Sequence, residues 1–194
     1  MTWTGPINQD WLNFLIRWGH MIAGIAWIGT SFYFVALDFS LRKLEGIGGE
    51  AWEVHGGGFY HVQKYLSAPS SLPEHLIWFK WEAYLTWVTG FLLLVVQYYV
   101  GATSYLIDPS VMALTPWQAI GISLAAIIGG WIVYDILCRM LAIQRPTLLV
   151  ILLLLMIIAA AYVFTHVFSG RGAFIHVGVF IGTLMAANVF MVII

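Results

Sequence analysis

The groups able to do chemistry are few in this sequence, and three of its six histidines, His20, His166 and His176, lie inside long apolar stretches. An ionisable group at membrane depth is expensive, so each of these needs a partner or a cavity. Neutral imidazoles converging from separate helices can hold a non-covalent b-type haem, because axial nitrogens approach the iron from opposite faces. His20, His166 and His176 are therefore candidate haem-iron ligands. Gly24, one turn below His20, leaves room for a flat macrocycle, and Arg17, one turn above, would meet a haem propionate. The depths agree only roughly: at 1.5 Å per residue His20 is about 13 Å from Trp11, and His176 is about 5 Å into its stretch. A plainer reading stays open for each. An intramembrane histidine also serves as an interhelical hydrogen-bonding group, and an arginine also snorkels to the interface.

Other polar groups are weaker candidates. His55 and His61, with Glu53 nearby, are a possible metal pair or simply surface residues. Glu82 has no cation at helical spacing, which suits a proton path or a carboxylate favoured by a helix N-terminus. Glu82 and Arg17 are the two candidate catalytic groups, but they sit near opposite membrane faces and cannot serve one site. Asp135 with Arg139, and Asp38 with Arg42, have the i,i+4 spacing of intrahelical ion pairs. Gly178-x-x-x-Gly182-x-x-x-Ala186 reads as a helix-packing stripe.

The elements that must position these groups follow from composition. Only 9% of the 194 residues are charged and 61% are hydrophobic, where a soluble domain carries about a quarter charged. A net charge of -1 without any Lys/Arg run excludes nucleic acid as partner. The lone Cys138 excludes an internal disulfide and the C-x-x-C-H attachment of c-type haem. Five stretches reach the roughly 20 residues needed to cross a bilayer, at about 11–37, 81–100, 117–137, 147–168 and 173–194. The fold expected is an all-α polytopic transmembrane bundle of five spans. Residues 1–10 carry no Lys or Arg, so the first stretch reads as a retained span and not a signal peptide.

Arg42, Lys43, Lys64, Lys80, Arg139 and Arg145 fall on one side of this topology and Arg171 alone on the other. The positive-inside rule then places the N-terminus outside and the 39–80 loop in the cytoplasm. That loop holds two aromatic-rich runs, 51–55 and 59–65, around Gly56-Gly57-Gly58, which predicts a small β-hairpin. Ser71-Leu-Pro-Glu74 fits a capping box, so the second helix is expected to start near Leu72, with His75 and Glu82 on one face. The fifth span stops at Ile194 with no flanking polar residue, as a chain cut short would.

Three segments together resemble a known family: Trp18-Gly-His-Met-Ile-Ala-Gly-Ile-Ala-Trp-Ile-Gly-Thr-Ser-Phe-Tyr-Phe34, Glu53-Val-His-Gly-Gly-Gly-Phe-Tyr-His-Val-Gln-Lys-Tyr65 and Leu72-Pro-Glu-His-Leu-Ile-Trp-Phe-Lys-Trp-Glu-Ala-Tyr84. The chain is similar along its length to the N-terminal membrane domain of the membrane-bound bacterial urate oxidases (urate hydroxylases). That resemblance implies oxidation of urate to 5-hydroxyisourate, with electrons passing through cytochrome c to the respiratory chain. It also implies a bacterial inner membrane with a periplasmic N-terminus, together with further helices and a c-type cytochrome domain, so any c-type haem belongs to a missing domain or partner. Two other readings remain: a haem b electron-transfer anchor without urate chemistry, and a small-solute or metal transporter. No proline interrupts a span, and the seven methionines lack the paired spacing of a copper site, which lowers the transport readings.

Overall fold

The computed structural model describes residues 6–191, and most of them are helical. The first helix, α1 (Pro6–Ser40), is followed by strands β1 (Gly49–His55) and β2 (Gly58–Lys64) and then α2 (Trp81–Leu93). A π-helical segment, Leu94–Tyr99, continues α2. The short α3 (Ala102–Tyr105) leads into α4 (Pro116–Leu141), α5 (Pro146–Val167) and α6 (Gly170–Met191). Four helices are long and apolar enough to cross a membrane: Gln9–Ser40, Pro116–Leu141, Pro146–Val167 and Gly170–Val189. The second expected span, at 81–100, is split between the 13 residues of α2 and the six of the π segment. The bundle is thus compatible with a membrane protein in four of its helices.

Helix starts follow local chemistry where it is strong. Thr115 caps α4 in a capping box: its hydroxyl accepts the Gln118 N–H, the Gln118 side chain accepts the Thr115 N–H at 2.9 Å, and Pro116 fills the first turn. Such a cap is worth about 1 kcal/mol. The box expected at Ser71 forms no helix, and α2 begins at Trp81. There Phe79 packs edge-on against Phe34 of α1 at 5.0 Å and Lys80 lies over the Trp78 and Trp81 rings. These aromatic contacts outweigh a local cap. His75 and Glu82 consequently share no helix face.

The hairpin forms as expected. Gly56 and Gly57 take φ of +57° and +83°, the left-handed pair a two-residue turn needs, and Val54 pairs with Phe59. Three contacts tie it to the end of α1: Tyr33 donates to Glu53 at 2.6 Å, Lys64 pairs with Asp38 at 2.7 Å, and Arg42 bridges to Glu50. Asp38 therefore pairs with Lys64 instead of Arg42, because α1 ends at Ser40 and Arg42 is drawn into the bridge. Asp135 and Arg139 make the expected i,i+4 pair at 2.8 Å.

The core sits between α4, α5 and α6. Phe164, Phe168, Leu106, Ala173, Phe180 and Leu184 are buried there, and a Cβ on Gly130 would overlap the Phe180 ring. Ser169 fastens the α5–α6 turn by accepting the Gly172 N–H at 3.0 Å and donating to the Tyr105 carbonyl at 2.7 Å. α1 packs chiefly on α2, through Gly19 and Gly24, whose added Cβ atoms would just touch Thr89 and Thr86.

Candidate functional site

Between α1, α2 with its π segment, and α6 lies a slot of about 540 Å³. Arg17, Gln97 and Arg171 line one end, and His20 sits one turn deeper on α1. Arg17 donates to the Gln97 side chain at 3.1 Å, and the Arg171 guanidinium stacks on Tyr105 at 5.1 Å. Neither arginine is in a salt bridge among the described residues, and no residue lining the slot is acidic. The mouth is thus a concentration of uncompensated positive charge. Its far end is apolar, with Trp27, Trp87 and Val179.

His20 is held on one side only. Its Nδ1 lies 3.0 Å from the Thr86 carbonyl and 3.1 Å from the Thr89 hydroxyl. A carbonyl can only accept, so in the neutral ring Nδ1 carries the proton and Nε2 keeps its lone pair. The ring lies on Gly90, where a Cβ would come within 2.9 Å of Cε1. Nε2 makes no hydrogen bond among the described residues.

His176 differs in every respect. It is fully buried; its Nε2 is 2.6 Å from Ser123 Oγ, and its Nδ1 is 2.7 Å from the Gly172 carbonyl. Phe164 and Phe168 pack against the ring, and Ser123 also meets the Tyr99 hydroxyl at 2.7 Å. His166 lies exposed near the end of α5, with Nδ1 2.8 Å from its own helix's Tyr162 carbonyl. Neither lines the slot, so the expected meeting of His20, His166 and His176 around one iron is not what the structure has. Both nitrogens of His176 are engaged, and α5 contributes nothing to the slot.

Further expectations are corrected. Gly24 faces Thr86 in the α1–α2 contact instead of making room for a ligand. Room comes from Gly178 and Gly182, which line the slot and have no atom within 4 Å of an added Cβ. The stripe read as packing is therefore split, with only Ala186 buried. His55 and His61 point to opposite faces of the hairpin, because His61 pairs with Trp52 and His55 lies on the Glu53 face. His61 instead bonds Glu50 at 2.7 Å and stacks on Trp52, and no cluster of three metal-ligating side chains exists among the described residues. Glu82 does not line the slot; its Oε2 is buried without a partner. It lies 15 residues before Gln97 along α2, about 22 Å at helical rise.

Sequence reasoning missed Gln97, Arg171 and the slot glycines. Arg171 was visible as the lone cation on its side, and its counterpart role to Arg17 needed the three-dimensional fold.

A mostly helical bundle, compatible with a membrane protein in four of its helices, thus carries a cation-lined slot as its candidate binding site. The family model for the urate oxidase N-terminal region matches residues 6–194, and the chain belongs to that family. No curated protein and no solved structure matches it. Membership makes it an enzyme domain of urate metabolism with a urate-related oxidoreductase role.

Proposed function

We propose that the slot is where this domain meets urate or a related purine anion, oxidises it to 5-hydroxyisourate and passes the electrons on to cytochrome c. The observation that carries the reading is the pair of arginines at the slot mouth, unpaired with any carboxylate, in a chain of the urate oxidase N-terminal family. Converting the urate monoanion and one water to 5-hydroxyisourate releases one proton and two electrons. Two ferricytochromes take those electrons, one each, and the proton leaves to solvent.

Arg17 and Arg171 attract and orient the anion, with Gln97 holding the Arg17 guanidinium in place. Phe91 and Tyr98 supply apolar walls beside them. The Lys/Arg distribution supports a periplasmic N-terminus in the inner membrane, which turns the mouth to the side where a c-type cytochrome works. Membranes carrying the chain should reduce added cytochrome c in a urate-dependent way. Inert membranes in which the complex is intact would remove the reading.

A further inference from the structure

We propose that the mostly apolar part of the slot beyond the arginines is a binding site for one b-type haem, held by His20 Nε2 as its axial ligand, with Arg17 and Arg171 left at the mouth for the purine anion. This deepens the reading just given and rests on its assignment of the slot as the functional site. Four features of the slot support it independently of the family.

The first is shape. The slot runs along α1 from Arg17 to Trp27, ten residues or about 15 Å, and along α6 from Arg171 to Thr183, twelve residues or about 18 Å. With a volume of about 540 Å³ it far exceeds a single purine and suits a porphyrin. The second is polarity: beyond the cations the lining is mostly apolar, with Trp27, Trp87, Phe91, Leu94 and Val179, as a macrocycle requires.

The third is the ligand itself. An iron-ligating imidazole needs a bare nitrogen, and it is oriented when its other N–H is anchored on a carbonyl. His20 meets both conditions, with Nδ1 fixed by Thr86 and Thr89 and Nε2 unengaged among the described residues. The fourth is the facing wall, where Gly178 and Gly182 leave open space beside the ring plane. A bare metal ion is the poorer occupant, because the slot offers one imidazole and no carboxylate or thiolate. His20 is the only histidine lining the slot among the described residues, so the slot offers the iron a single imidazole.

The test is the spectrum of the chain purified from membranes in mild detergent after expression with a haem precursor. Expected are one haem per chain, a b-type pyridine haemochrome and a high-spin ferric resonance. H20A should lose haem at least about tenfold while H166A keeps it, and H20G should regain the spectrum when free imidazole is added, which shows that the variant is folded. Wild-type haem content in H20A, or no haem in the wild-type chain even after haemin is added, overturns the proposal; a low-spin ferric spectrum overturns the single-ligand geometry. Haem that urate fails to reduce would sink the urate reading and leave the haem site standing. Urate-dependent cytochrome c reduction by haem-free protein would do the reverse.

Discussion

His20 and His176 both lie in helices long and apolar enough to cross a membrane, yet their surroundings differ in kind. His176 has both nitrogens bonded and phenylalanines on its faces, so it is spent on joining α4 to α6. His20 has one nitrogen anchored and the other turned loose beside a cation-lined slot. A buried polar group that is satisfied stabilises the fold, whereas one satisfied on a single side is available for a ligand.

The contrast can be broken most forcefully at the slot mouth. Replacing both arginines, R17Q with R171Q, removes two charge-assisted contacts of about 1.5–3 kcal/mol each. The urate KM for cytochrome c reduction should rise about a hundredfold or more, with kcat much less affected. A smaller effect is expected from G90A, whose Cβ must displace the His20 ring. Activity should fall about tenfold, in line with the loss of a ligand-orienting contact, while detergent-challenge unfolding stays at the wild-type midpoint.

His176 should behave in the opposite way. H176A removes two interhelical or capping hydrogen bonds and should cost about 1–2 kcal/mol of stability, with activity per folded molecule unchanged. The smallest effect lies outside the bundle, in the α3–α4 loop. There the Ser110 hydroxyl and N–H hold the exposed Asp108 carboxyl below its ordinary pKa. A lowered carboxyl pKa stabilises the folded loop above the ordinary carboxylate range, and that contribution is lost as pH falls through the folded value. S110A should move the Asp108 titration upward, read by NMR, without touching urate turnover.

How much of this was legible in the sequence depended on whether the signal was local. The hairpin was readable, because Gly56 and Gly57 satisfy a turn that few other residues can make. Approximate helix positions were readable from the length of apolar runs. Rotation of those helices was not: α5 and α6 are apolar nearly all round, so no period tells which side His166 or His176 faces. The same loss of pattern hid the slot, since Gly178 and Gly182 have one spacing whether they pack or open. The late start of α2 came from tertiary contacts of Phe79 with α1 that no capping rule contains. Likewise, the π segment carrying Gln97 leaves no signature in its residues.

The most direct test of the central claim, that the slot around His20 and not the His176 pocket is the working site, is a side-by-side assay of membranes carrying wild type, H20A and H176A. Urate-dependent reduction of cytochrome c, normalised to folded protein, should be retained by wild type and H176A and lost by H20A. Full activity in H20A, or its loss in folded H176A, would contradict the account.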